Sequence, residues 1–398
     1  MHFTPFLIHL IFLFLIRKPN QWTMKLLLSF LLLFFSTSIY AQFPDFEFHK
    51  IGEHGNRMGQ TALIDLDEDG DLDWIFGESG KLSWFEYRSP NEWIFHSLGE
   101  GAKTDVGGCP VDISRDGKTD FMVGTGWYEN TGQPKETLFP YHFSSTIESH
   151  DNVAADVNGD GDLDIIANSN DAGQTYLVWY DIPENPEDQW EHIIIGEGIH
   201  GGVDPKGAGD LDNDGDIDIV RGNSWFENNT GSGFSWTEHP IVPDGGSRPG
   251  KYGLALKVWI TDLDKDGDND IVEAECDTSD TRVFWWENRR KGNNWKFHLI
   301  SENFTGQDFH SLAVADFDND GDEDIFSGGG PMSKDTHKWF IWENVSGNAK
   351  NWKRHQILEG FRCHEAKAAD VDGDGDIDIC SKPWHGNIHV YMENRLID

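Results

Sequence analysis

The chain has 398 residues, with 31 Lys and Arg against 70 Asp and Glu, a formal charge of −39 and 13% aromatic residues. That length allows one large core or two to three ordinary domains. The charge excludes nucleic acid and anionic membrane surfaces as partners, and the aromatic content excludes a solvated acidic tail.

Residues 1–41 carry no acid and two apolar runs. The second run begins at Met24, passes Lys25 and Leu26–Phe35, and ends in the small residues before Ala41. This is the layout of a secretory signal peptide, with Met24 as the expected start. The run is too short to span a bilayer, so no membrane insertion is expected once the leader is removed. Removal takes Arg17, Lys18 and Lys25 but no acid, which moves the charge from −39 to −42. The expected location is the periplasm or outside the cell. Cys109, Cys276, Cys363 and Cys380 remain, too few for a disulfide scaffold of this size. One bridge is compatible with them, and the sequence does not choose it.

From Asp65 onward the chain repeats itself. Asp65-Leu-Asp67-Glu-Asp69-Gly-Asp71-Leu-Asp73 recurs at 112–120, 156–164, 210–218, 262–270, 316–324 and 370–378, at spacings of 44 to 54 residues. A small-apolar run precedes each copy, such as Ser311–Ala315, and an apolar pair follows, such as Ile271-Val272. Next comes a Trp/Phe-rich run ending in Glu-Asn, as in Trp225–Asn228, Trp285–Asn288 and Trp342–Asn344. Last is an aromatic three residues before a His, as in Trp236/His239, Trp295/His298 and Trp352/His355. Four short strands per unit in seven units predict an all-β, seven-bladed β-propeller over residues 42–398 as one domain. The seventh unit ends on a third strand, Val390–Asn394, while Phe46–Ile51 has the fourth-strand pattern. The N-terminal segment is therefore expected to complete the last blade and remove an open sheet edge.

Oxygen donors at alternate positions of a tight Gly-containing turn suit Ca²⁺. The predicted ligands are Asp65, Asp67, Asp69 and Asp73; Asp156, Asn158, Asp160 and Asp164; Asp210, Asp212, Asp214 and Asp218. In the last three copies they are Asp262, Asp264, Asp266 and Asp270; Asp316, Asp318, Asp320 and Asp324; Asp370, Asp372, Asp374 and Asp378. Ser114 and Lys118 replace acids in the second copy, whose site is expected to be weak or empty. These residues resemble the FG-GAP/VCBS repeats of integrin-α-like seven-bladed propellers, a family common in exported bacterial proteins. The resemblance spans nearly the whole mature chain and implies fold and structural calcium, while function lives in the loops.

There are 17 His. His49, His96, His142, His192, His239, His298 and His355 occupy fourth strands and are expected to be structural. His54, His150, His200, His310 and His364 precede first strands, at the end opposite the Asp loops, around the mouth of the central funnel. Arg57, Tyr252 and Arg221 join them there. Imidazoles at a propeller axis suit acid/base or metal chemistry, and whether the funnel holds a metal of its own stays open. There is no Gly-x-Ser-x-Gly elbow and no phosphate-cradling loop. A glycosidase-type carboxylate pair among Glu273, Glu275, Asp151 and Asp204 also stays open.

Some exported propellers of this kind are polysaccharide lyases or sugar dehydratases, including those that marine bacteria use on ulvan, with funnel His, Tyr and Arg residues doing the work. The resemblance implies a β-eliminating enzyme on uronate-containing oligosaccharides or polysaccharides. Arg57 or Arg221 would neutralise the uronate, and His200, His150 or Tyr252 would act as base and acid, with His310 and His364 completing the site. A monomer is expected. The alternatives are a non-catalytic sugar-binding propeller, with Trp384 and Tyr252 stacking on sugars, and an adhesion module.

Overall fold

A computed structural model describes residues 43–397 apart from 103–105, 146, 170–175, 198–199, 242–255, 302–305 and 335. The leader and Tyr252 lie outside the described residues. Among these there is no helix, and none long and apolar enough to cross a membrane.

The strands form seven sheets. In the first, β2 (Met58–Ile64), β3 (Asp73–Glu78), β4 (Lys81–Ser89) and β5 (Glu92–Glu100) pair in chain order, antiparallel throughout. Five further sheets repeat this order from inner to outer strand, and in one of them a two-residue strand, Pro205–Lys206, pairs parallel with the inner edge of Leu256–Thr261. The seventh sheet closes as expected. Its inner strands are β27 (His364–Ala369), β28 (Asp378–Lys382) and β29 (Ile388–Asn394), and its outer strand is β1 (Phe46–Glu53), with Phe46 opposite Asn394 and His49 opposite Tyr391. The result is a seven-bladed propeller.

The core lies between blades. Each apolar cluster joins facing sheets, as where Trp84, Leu82 and Ile75 of the first blade pack on Phe121, Val123 and Tyr128 of the second. Third-strand Trp84, Trp127, Trp179 and Trp285 are at most 1% exposed, which explains why that strand is rich in Trp.

The repeated polar residues pin these sheets. The last Asp of each loop is buried, and in six of the seven its two oxygens accept separate backbone amides. In Asp73 they take the N–H of Leu66 in the loop and of Tyr87 on the third strand; Asp218, Asp270 and Asp378 repeat the pattern. The Asn of Glu-Asn reaches back to the preceding blade, Asn228 to the Val157 carbonyl, Asn288 to Leu211 and Asn394 to Phe317, at 2.8–2.9 Å. The Glu binds the fourth-strand His of its own blade, as in Glu287–His298 at 2.6 Å and Glu343–His355 at 2.6 Å. That His lies flat on the third-strand Trp, with ring centroids 4.5 Å apart in Trp285–His298. Fourth-strand His residues are thus parts of the scaffold.

The fourth residue of all seven Asp loops has a left-handed backbone: Glu68, Arg115, Gly159, Asn213, Lys265, Asn319 and Gly373. This conformation is costly for residues with a Cβ. It aims several of these side chains at the next loop. Arg115 meets Asp162 at 3.2 Å, Asn319 meets the Gly375 carbonyl at 3.0 Å, and Lys265 meets Asp322. In the degenerate second loop the ammonium of Lys118 folds onto Asp116, a protein cation within the loop itself. All four cysteines are free thiols.

Candidate functional site

At the end opposite the Asp loops, the starts of first strands and the turns between second and third strands converge. Four of the five mouth histidines meet there in one chain of contacts. His150 and His200 touch with ring centroids 4.0 Å apart. His200 Nε2 lies 3.2 Å from Asp277 Oδ2, and the other oxygen of Asp277 lies 3.7 Å from His310 Nδ1. His310 stacks on His364 at 4.3 Å, and His364 faces Trp384 at 5.1 Å. These residues come from the third, fourth, fifth, sixth and seventh blades. Arg57 of the first blade covers Trp384, its guanidinium carbon 5.9 Å from the ring centroid.

Each imidazole is oriented differently. His150 Nδ1 bonds Asp151 Oδ1 at 2.7 Å, and the other oxygen of Asp151 accepts the amides of Val203 and Asp204. The pair is therefore locked, with His150 Nε2 left as the outward nitrogen. His364 Nδ1 instead accepts from Lys382 Nζ at 2.9 Å, so its proton sits on Nε2. His150 and His200 keep 20% and 18% of their side-chain surface exposed, against 7% for His310 and His364, so the first two are the imidazoles a ligand reaches.

Charge is graded across the mouth. Burial opposes an imidazolium at His150, but the hydrogen bond and charge of Asp151 prevail and raise its pKa above the ordinary value. Burial likewise opposes the His310 imidazolium, and Cys276, Asp277 and Asp308 raise its pKa in spite of it. Burial, Lys382 and His310 together lower His364 well below the ordinary value. Burial pushes Lys382 down to about 7, against the pull of Glu365. Lys257 is held as a cation, because burial is outweighed by Asp204, 3.0 Å away, and by Glu365.

Below the mouth a cavity of about 440 Å³ runs along the axis. Every blade contributes to its wall, including Thr61, Cys109, Asn152, Lys206, Trp259 and Lys367.

Three expectations change. Arg221 does not face the funnel. Its guanidinium bonds Glu238 at 3.0 Å and the Glu197 carbonyl, both on fourth strands, because alternation along the second strand turns it outward. His54 stacks on Phe95 at 4.0 Å beside Glu78, outside the chain of contacts. Glu273 accepts the Trp286 indole and Glu275 grips Arg282, so neither forms a glycosidase pair with Asp151 or Asp204. Sequence reasoning missed Cys276, Asp277 and Asp308. They follow no repeat, although Cys276-Asp277 directly follows the second strand of the fifth unit, a turn that the propeller sends to the mouth.

In the Asp loops, carboxylate oxygens of Asp65, Asp67 and Asp73 lie within 4.8 Å of one another. Burial, and then the neighbouring acids, push Asp318 to about 6 and Asp324 to about 8. Asp264 keeps a buried oxygen with no hydrogen-bond partner. Such crowding fits a hard divalent cation bound by oxygen donors.

The FG-GAP-like repeat family matches residues 156–221, 262–327 and 316–381. The Photorhabdus luminescens Tc holotoxin pore aligns over 90% of the chain at 16% identity and TM-score 0.42, and the chain spans 15% of that protein. An Agrocybe aegerita lectin, whose structure describes recognition of non-reducing terminal N-acetylglucosamine, aligns over 82% at 16% identity and TM-score 0.48, with 86% of the lectin covered. No protein of curated function matches. The repeats matched at residues 156–221 and 262–381, together with the seven four-stranded blades, make this an FG-GAP-like repeat propeller.

Proposed function

We propose that this protein is an exported carbohydrate-active lyase that acts by β-elimination on uronate-containing oligosaccharides at the funnel mouth. The observation that carries the reading is the pair of part-exposed, touching imidazoles His150 and His200, each held by its own carboxylate, at a mouth where Arg57 also lies over Trp384. Arg57 binds the uronate carboxylate, which makes the adjacent C5–H acidic. His150 Nε2 removes that proton. The freed electron pair forms the C4–C5 double bond as the C4–O bond breaks, and His200 protonates the departing oxygen. Tyr252 is the second candidate for that acid. Loss of water makes the enzyme a dehydratase, and loss of a sugar makes it a lyase that splits chains.

The test is incubation of the mature, calcium-loaded protein with uronate oligosaccharides, following ultraviolet absorbance of the new double bond and product mass. Binding with neither change would leave a sugar-binding propeller instead. We also propose that the six well-formed Asp loops hold Ca²⁺ as a structural ion, with Lys118 standing in for it in the second loop.

A further inference from the structure

Outside the Asp loops, one group of buried donors is gathered at a metal-ligand spacing. Cys276 Sγ, a carboxylate oxygen of Asp277 and a ring nitrogen of His310 lie within 4.8 Å of one another, and all three residues are buried. His310 Nδ1 is 3.7 Å from Asp277 Oδ1 and 3.8 Å from Asp308 Oδ1. Both separations are too long for hydrogen bonds. Two ligands held at about 2.0–2.1 Å from one tetrahedral ion stand about 3.3–3.5 Å apart, close to what is seen. His310 Nδ1 and Asp308 Oδ1 also have no hydrogen-bond partner, although their residues are 5% and 0% exposed. Orphaned polar atoms at such depth call for an ion or a water.

The supporting contacts are those of a positioned ligand set. The second oxygen of Asp308 accepts the Met332 amide at 2.8 Å, and the second oxygen of Asp277 faces His200. Asp277 holds a left-handed backbone, φ 60°, which brings its carboxylate back toward its own chain neighbour Cys276. The nearby ammonium of Lys257 is bound to Asp204 and Glu365 and does not fill the gap.

We propose that the funnel holds a zinc-class divalent ion on Cys276, Asp277, Asp308 and His310. A sulfur and an imidazole among the donors select a borderline-soft transition ion over calcium. The ion clamps the second-to-third-strand turn of the fifth blade to the first-strand entry of the sixth. It thereby fixes the two contacts that radiate from the site, His200 through Asp277 and His364 through the His310 ring. The site stands whether or not the mouth performs elimination, because it is read by metal content.

The chain is produced with zinc, exchanged into zinc-free buffer containing calcium, and its metals are counted by mass spectrometry. About one zinc per chain is expected to remain. Cobalt exchange is expected to give a sulfur-to-cobalt charge-transfer band together with tetrahedral d–d bands. Cys276→Ser should abolish the charge-transfer band, and Cys276→Ser and His310→Ala should each weaken zinc binding at least about 10-fold while calcium content is unchanged. Wild-type protein that retains no zinc and shows no cobalt band would overturn the site, and so would zinc retained equally by folded variants. If a variant does not fold, the wild-type cobalt spectrum decides alone.

Discussion

His150 shows how one side chain acquires a role from its neighbours. Its position six residues before an Asp motif was readable, and so was its place at the mouth. What orients it was not, since its neighbour Asp151 is fixed only when the folded chain brings the Val203 and Asp204 amides to that carboxylate's other oxygen. Arg221 shows the opposite case, because a residue at the end of a second strand can face either side of the sheet and sequence does not tell which. His150→Ala should lower turnover on uronate oligosaccharides about 10²–10⁴-fold with folding intact, measured by double-bond absorbance. Turnover unchanged within a factor of two would remove His150 as the base. Because its folded pKa lies above the ordinary value, the base form is lost on descending through that raised value. The acid limb of kcat/KM should therefore fall above pH 6.5, the ordinary histidine value. A limb near pH 4–5 would assign the base to a carboxylate.

At the scale of the element, the unit of this fold is a strand hairpin nailed to its neighbour by side chains. The repeat was legible because each nail recurs in every blade, whereas the mouth is assembled once from loops that share no pattern. Asn288 carries three such bonds, to the Leu211 and Asn269 carbonyls and from the Gly292 amide. Asn288→Ala should cost about 2–4 kcal/mol in urea unfolding, since it orphans buried groups. A loss below about 1 kcal/mol would mean water replaces them. The His–Trp stack adds a pH dependence. Burial lowers His298 below its ordinary pKa although Glu287 pulls the other way, so the unfolded chain binds the proton first as pH falls. Stability from neutral His298 is then complete at pH 7.5 and declines below about 6.5. The stability gap between wild type and His298→Gln should narrow from pH 7.5 to 5.5. A gap that widens would show that the charged form is the one the blade prefers.

Across the whole molecule, charge and architecture are one subject. Aspartates of the seven loop motifs make up 32 of the 70 acids, gathered on one face, while the opposite mouth collects Arg57, Lys257 and Lys382. The fold and its closure were legible because a propeller repeats its plan, and the leader's expected removal only sharpens the acidity. Each occupied loop adds about 2.7 kcal/mol at a hundredfold excess of ligand over its dissociation constant. Chelation should therefore lower Tm by roughly 10 °C or more in a thermal scan, with calcium restoring it. An unchanged Tm would mean that contacts such as Arg115–Asp162 and Lys265–Asp322 suffice to hold the loops.

The strand Phe46–Glu53 finds its partner only in Ile388–Asn394. A ribosome makes the first of these before every other described strand of the propeller and the second after all of them. Until then the growing chain is an unclosed arc with two bare sheet margins, and no amount of early folding can seal it. Closure of the ring waits on the pairing of the oldest of these strands with the youngest.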